Sequence, residues 1–475
     1  MIKISKERVL QHCSAKAKNL CIRALQSNNH KLVKYMTKIK QAWILMAMSL
    51  MVAFSCNQPQ NNSANKQEKS VQKASEEVFE WRGINREGIY YEDGLLQSWP
   101  EAGPELVWEF EGVGNGYGSP VFTDDKMYIL GELESQAYLF AFDRSGTLLW
   151  KSAFGQEWVK NYNGSRSTPT VVKDLLYVTT GLGRLACLDR HTGELKWKVD
   201  MVEDLHGTYP LFGFSESVII EDERVFCTPG GADTNVVALN RFTGDIIWVS
   251  KGAGERPGYN SPQIIRLKDR NILINFTAYE MMGHDTKTGE LLWMHQQDNV
   301  KPEDRKPGMG DTHSNTIIFE DGYIYYAEGD GNGGVKLKVA DDGKSIEEVW
   351  RNPKFDSYMG GIVKLGDYLY GAGTAKPNFN SINATTGEIG QTLKIGSGAV
   401  IAASKMLYYY NFAGEVMLIT SNPSNMEIVG KFKISKGENE HFAHPVINNG
   451  RLYVRHGNFI QAFNIKENQA SQNPG

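Results

Sequence analysis

One phrase recurs along the chain and constrains the fold more than any other feature. "DRHTGELKW" (189–197), "NRFTGDIIW" (240–248) and "DTKTGELLW" (285–293) share an Asp or Asn, a Thr-Gly pair and a tryptophan at nearly constant spacing. Extended outward, the unit reads "STPTVVKDLLYVTTGLGRLACLDRHTGELKW" over 167–197 and "SPQIIRLKDRNILINFTAYEMMGHDTKTGELLW" over 261–293. A third clear copy is "SPVFTDDKMYILGELESQAYLFAFDRSGTLLW" over 119–150. Each copy holds four short apolar or alternating runs separated by turn residues, the pattern of four antiparallel strands. Self-similarity at such a period marks an array of like units. β-branched and aromatic residues fill the runs and no window sustains a 3.6-residue period, which disfavours a helical solenoid.

Weaker copies run from Ser217 to Trp248, from Ser314 to Trp350, from Gly360 through "INATTGEI", and from Ala399 through "MEIVGKF". The last copy, "HPVINNGRLYVRHGNFIQAFNI" (444–465), supplies three strands and stops. A fourth is available in "ELVWEFEG" (105–112), immediately before the first copy. The expected fold is an all-β, eight-bladed β-propeller of four-stranded antiparallel blades, closed by an N-terminal strand that completes the C-terminal blade. Seven blades is the alternative, because copies six and seven are degenerate. Closure removes the unpaired edge that antiparallel sheets must otherwise manage.

Within the phrase, Asp189 or Asp285 is suited to accept backbone N–H bonds in an Asx turn. Gly193, Gly244 and Gly289 allow positive φ. Trp150, Trp197, Trp248, Trp293 and Trp350 fall on the outermost strand, where each can dock on the neighbouring blade. A buried Trp covers ~150–250 Å², worth about 4–6 kcal/mol before entropy, against ~1 kcal/mol for a turn hydrogen bond. Asp189, His191 and Glu194 look at first like an acid–base group. Position 191 becomes Phe242 and then Lys287 in the other copies, so the slot is variable and the phrase is architectural.

The pattern Ala-x-Asp-x-x-Thr-Gly-x-x-x-Trp, as in "ACLDRHTGELKW" (186–197), resembles the tryptophan-docking repeat of the PQQ-like, quinoprotein-type β-propeller family. "ALNRFTGDIIW" (238–248) matches it with Asn240 in place of Asp. The resemblance covers about 81–465, and "WRGINREGIY" followed by "LLQSWPEAGPELVWEFEG" is similar to the opening of BamB-like secreted propellers. It implies a scaffold that offers a propeller face to partners in cell-envelope or outer-membrane protein assembly. Alternatively it implies a periplasmic quinoprotein-type dehydrogenase that oxidises an alcohol or sugar with PQQ and calcium. Those dehydrogenases carry vicinal cysteines beside the quinone and a Glu/Asn/Asp calcium set. This chain has no Cys-Cys pair, and Glu132, Asp233, Glu280, Glu328 and Asp330 do not map onto that set. A non-catalytic role without cofactor or metal is therefore the expectation, with catalytic residues unknown.

Chain topology places the Thr-Gly turns on one face and the inter-blade linkers on the other. Residues just ahead of each inner strand converge there: Tyr117, Arg166, Asn260, His313, Tyr358 and His444. The linkers "VEDLHGTYPLFGF" (202–214) and "DNVKPEDRKPGMGD" (298–311) rim this face. A polar, aromatic funnel is a candidate ligand or partner site; water-filled polar loops are the alternative. "EGDGNGG" (328–334) lacks the alternating ligands of an EF-hand, and "GNGYG" (114–118) precedes no helix and is no phosphate loop.

The 475 residues carry a formal net charge of −4, with 41% hydrophobic and 11% aromatic residues. This supports a large core and announces no nucleic-acid partner. Residues 1–35 read as an over-extended start and 36–55 as a signal peptide: Lys38 and Lys40 precede a 14-residue uncharged run, short of the ~20 that span a bilayer. "AFSC" (53–56) resembles a bacterial lipobox, with Cys56 as the lipidated residue and 56–80 as a flexible tether. An ordinary signal peptide with an incidental cysteine is the alternative. Residues 81–467 form the propeller, monomeric by expectation, and 468–475 a tail. Cys187 and Cys227 lie in strand-like runs, either as single buried thiols or as a disulfide. In the source cell, Cys56→Ala is expected to move the protein from the membrane to the soluble fraction; unchanged partitioning on fractionation refutes the anchor.

Overall fold

The computed structural model describes residues 77–297, 314–329, 331–374 and 376–467. The expected start, signal, Cys56, most of the tether, the tail, His313 and Asp330 lie outside the described residues. Among those residues the strands form eight sheets, five of them built from four consecutive strands and two from four consecutive strands joined by a strand of the N-terminal segment. Blades 1 to 7 span 121–156, 170–200, 219–250, 263–296, 318–352, 362–393 and 398–433. Blade 8 takes Val446–Asn448, Arg451–His456 and Phe459–Asn464 from the C-terminal part and Glu105–Glu111 as its outermost strand. Eight blades is thus the count, closed by the strand before the first copy.

The repeated phrase builds the joints between blades. Asp189 Oδ1 accepts the backbone N–H groups of His191 and Thr192, both at 3.0 Å. Asn240 and Asp285 do the same in the next two blades. Gly193 has φ +73°, and a Cβ there would stand 2.8 Å from the Trp150 ring of the preceding blade. Gly244 meets Trp197 and Gly289 meets Trp248 in the same way. The indole N–H groups of Trp197, Trp248, Trp293 and Trp350 donate to Arg241, Thr286, Gly343 and Ala384 carbonyls of the following blade at 2.9 to 3.2 Å. Each glycine is required because a neighbouring tryptophan lies where a side chain would be.

The two degenerate copies depart at this joint. Gln391 of blade 6 stands at the tryptophan position, and its amide bonds the backbone of Met426 in both directions. Blade 7 has Gly430 there, and Trp99 from the N-terminal segment packs over it at 2.6 Å from a would-be Cβ. Both copies keep their blade and replace the docking side chain.

The N-terminal segment does more than close blade 8. Val78–Phe79 pairs antiparallel with the inner strand Thr170–Val172 of blade 2. Ile89–Tyr90 pairs parallel with the inner strand Gly398–Ala403 of blade 7. Between these two attachments the chain runs along the inner side of the ring, reaching blades 3, 4, 6 and 7 through two arginines. Arg86, fully buried, donates to Ser217, Val218 and Pro262 carbonyls at 2.7 to 2.8 Å and pairs with Glu80 at 2.7 Å. Arg82 donates to Ile362 O at 2.7 Å and Val400 O at 3.1 Å. Val78 and Phe79, expected in the tether, therefore belong to the ring. A third buried arginine, Arg455, donates to Gly114, Gly118 and Leu130 carbonyls and staples blade 8 to blade 1. This explains "GNGYG": a Cβ at Gly118 would stand 2.2 Å from Ser167 O, and the strip of backbone fits between Arg455 and the next linker.

The core is divided into clusters at blade interfaces, each mixing residues of adjacent sheets. Cys187 and Cys227 are free and buried in this packing. Removing the Arg86 guanidinium strands Glu80 and three carbonyls in a dry centre. Arg86→Ala should lower unfolding stability by about 3–5 kcal/mol, whereas the exposed Lys198→Ala should stay within about 0.5 kcal/mol, both read from urea denaturation.

Candidate functional site

On the linker face the chain encloses a cavity of about 180 Å³. Its wall is built from the segments that enter each inner strand, and those segments are tied blade to blade. Ser119 N donates to Thr168 Oγ1 at 3.1 Å, Thr168 N to Ser217 Oγ at 2.9 Å, and Ser217 N to Ser261 Oγ at 3.0 Å. The hydroxyls of Thr168, Ser217 and Ser261 thus accept from the preceding blade, while Ser119 Oγ donates to His444 O at 2.8 Å. Asn315 fills the same need further on, donating to Ser357 O at 2.6 Å and accepting from Gly361 N at 2.7 Å.

Of the six residues expected in the funnel, Tyr117, Arg166, Tyr358 and His444 line this cavity. Asn260 does not. Its amide donates to Asn315 O behind the wall, while its neighbours Tyr259 and Ser261 face the cavity. His313 falls outside the described residues, with Ser314 beside it in the lining. The residues that sequence reasoning missed are aromatic: Trp81, Tyr162, Phe212, Tyr259 and Phe442. Tyr162, Phe212 and Phe442 lie in linkers rich in aromatic residues, a signal that a choice confined to the positions just ahead of each inner strand passes over.

These rings touch in sequence. Tyr117 and Tyr162 lie 5.6 and 6.0 Å from Phe442, Tyr162 lies 5.7 Å from Phe212, and Phe212 lies 5.8 Å from Tyr259. Tilted and edge-on contacts at such distances favour one another through ring quadrupoles. Trp81 faces the cavity from the central segment, 5.2 Å from His444 in an edge-on contact. The N-terminal segment therefore contributes to the cavity.

The polar groups are largely engaged. His444 Nδ1 lies 2.8 Å from the Arg82 guanidinium and Nε2 lies 2.8 Å from Met359 O. Arginine has no acceptor, so Nδ1 accepts, Nε2–H donates, and the imidazole is neutral. Burial, and then the Arg82 charge, push its pKa down to about 3. Tyr117 donates to Glu440 at 2.7 Å. Arg166 donates to Gly164, Asn161 and Tyr162 carbonyls at 2.6 to 2.8 Å and so folds the 161–166 loop around its own guanidinium. Glu157, buried beneath, accepts from Trp158 N and Ser165 Oγ at 2.8 Å and from Gly181 N, which holds the loop on blade 2.

A calcium-held quinone finds no matching donors here. The described lining contains no Asp or Glu side chain, and among the described residues no three His, Cys, Asp or Glu side chains are grouped to hold a metal ion. Asp233 instead pairs with Lys251 at 2.6 Å, and Glu132 bonds Asn115 and Ser135. The "EGDGNGG" segment is the connection between two strands of blade 5.

A family model described as outer membrane protein assembly factor BamB matches residues 135–393. Among curated proteins, a quinoprotein ethanol dehydrogenase of Pseudomonas aeruginosa is 29% identical over 162 residues, covering 31% of this chain and 25% of that protein. The quinoprotein alcohol dehydrogenase PedH of Pseudomonas putida is 25% identical over 154 residues, covering 31% of this chain and 25% of its own length. The chain thus spans about a quarter of the length of these curated relatives. Among solved structures, BamB from Moraxella catarrhalis aligns with a TM-score of 0.55 at 13% identity, over 76% of this chain and 99% of that one. A europium-containing methanol dehydrogenase aligns with a TM-score of 0.59 at 11% identity, over 78% and 88%. These two likenesses speak to the fold alone.

The His444 geometry has a pH signature. The folded protein keeps this ring neutral to about pH 3, while an unfolded histidine takes a proton near 6.5. Between those values the unfolded chain binds more protons, so the stabilisation is complete above about 6.5 and is lost as pH falls toward 3. This group alone contributes up to about 1.4 kcal/mol per pH unit to that slope. His444→Gln offers Arg82 an acceptor and Met359 a donor without titrating. It should show a shallower fall in urea midpoint between pH 6.5 and 4.5 than the parent; an identical slope contradicts the assignment.

Proposed function

Because the chain belongs to the family described as outer membrane protein assembly factor BamB, we propose that it is a non-catalytic binding and scaffold protein of the cell envelope. In this reading it is exported, held to the membrane through lipidated Cys56, and presents its linker face to a protein partner or ligand. The observation that carries the proposal is the character of that face. An aromatic-walled cavity is accompanied by exposed apolar side chains on two neighbouring linkers: Val159 (45%), Tyr162 (45%), Tyr209 (43%) and Leu211 (51%). Apolar groups clustered at a cavity mouth mark a recognition surface. His444, the residue most suggestive of a general base, is committed at both nitrogens to holding Arg82 and Met359.

The partial likeness to quinoprotein dehydrogenases supports a second reading, the oxidation of an alcohol or sugar with PQQ. Two measurements separate them. A photo-cross-linker placed at Leu211 should give a defined adduct in the source envelope, and one at Ile246 on the outermost strand of blade 3 should not; Tyr209→Asp should abolish the adduct. Purified protein given PQQ and calcium should show no quinone absorption band and no alcohol-dependent dye reduction. A calcium-dependent band with dye reduction establishes the dehydrogenase and overturns the scaffold.

A further inference from the structure

We infer that the linker-face cavity is a binding site for an aromatic monocarboxylate, a single planar ring carrying one anionic arm. This deepens the binding reading above and rests on it. The first observation is shape: about 180 Å³ enclosed by a run of touching rings, with an indole on the central segment, suits one aromatic ring and a short substituent. Edge-on and offset contacts are available from several sides, which favours an aromatic over an aliphatic guest.

The second observation is charge. Arg166 is the one formally charged side chain in the described lining. Its three hydrogen bonds among the described residues use Nη1 once and Nη2 twice. A guanidinium has five N–H donors, so Nε–H and one Nη1–H remain for a guest. Arg82 adds a second positive charge behind Trp81, its guanidinium 5.6 Å from that ring, and bonds carbonyls and a neutral histidine. Glu440 at the rim is engaged by Tyr117, and Glu157 is enclosed by three donors. An ammonium group entering here meets two guanidinium charges, whereas a carboxylate meets a guanidinium that keeps an uncommitted N–H.

The third observation disfavours sugars. A carbohydrate presents many hydroxyl donors and requires carboxylate or amide acceptors. The described lining has no carboxylate, Ser215 Oγ donates to Tyr259 O, and the Oγ atoms of Ser217 and Ser261 already accept backbone N–H groups.

The test is calorimetric titration of the purified protein, with tryptophan fluorescence as a second readout. The probes are 3-phenylpropionate, its uncharged amide, 3-phenylpropylamine, 3-cyclohexylpropionate and glucose. The acid is expected to bind about tenfold or more tightly than amide or amine, a difference typical of one charge-assisted pair, with cyclohexylpropionate weaker and glucose silent. Arg166→Gln should erase the preference for the acid over the amide, and Phe442→Leu should weaken every ring-bearing probe alike. If Arg166→Gln lowers the thermal midpoint, Phe442→Leu and the probe series on the parent protein decide the matter. Equal binding of acid and amide, tighter binding of the amine, or no saturable binding of the acid overturns the inference. In the last case a persisting Leu211 cross-link leaves the scaffold reading standing; loss of both removes it as well.

Discussion

The structure depends on two buried guanidinium groups at the centre of a ring. A closed set of blades leaves the innermost strand of each sheet with an edge that faces the axis; Val78–Phe79 and Ile89–Tyr90 pair with two of these edges, and the carbonyl groups near others need side-chain donors. Arg82 and Arg86 are spokes that meet those edges, reaching the inner strands or adjoining linkers of blades 3, 4, 6, 7 and 8. Buried charges are costly unless each N–H finds an acceptor, and here main-chain carbonyls supply that set. Burial lowers the Arg82 pKa to about 10, which still leaves it charged at neutral pH. The same segment contributes Trp81 to the cavity, so the integrity of the ring and the form of the candidate site share one cause.

That coupling passes through His444. Its neutral ring accepts from Arg82, donates to Met359, and stands edge-on to Trp81. His444, expected from the sequence to line the funnel, is also a strut between the central segment and the linkers of blades 6 and 8. Arg166, the formally charged residue of the described lining, organises its own loop. What the described lining of this face offers is ring surfaces and one cation.

The parts of the fold visible in the sequence were those written in side chains and repeated. Asp or Asn, Thr-Gly and Trp recur because each joint uses the same Asx turn and the same indole packed on glycine. Blades 6 and 7 were obscure because Gln391 and the pair Gly430 and Trp99 solve the same packing problem with other residues. The central spokes were illegible for a different reason: their acceptors are backbone carbonyls, which leave no residue-type signal, and "WRGINREGIY" occurs once. In the site, chain order predicted which segments converge, and four of the expected residues line the cavity. Asn260 was displaced by one position because alternation sends its side chain behind the wall, and further aromatic rings were overlooked because the criterion was position just ahead of an inner strand.

The pairing of Glu105 with Asn464, and the bridge from Leu95 to Lys466, join chain segments separated by almost the whole propeller. Individual blades are hairpins of neighbouring strands and need only short loops to form. Closing the last blade requires a strand made before blades 1 to 7 to wait for three made after them, at the entropic cost of a long loop. Until that moment the axial spokes lack part of their acceptor set and the inner edges stay open, the condition in which partly folded chains associate. Ring closure is therefore the late step of folding, and the period before it is when this molecule is most exposed to misassembly.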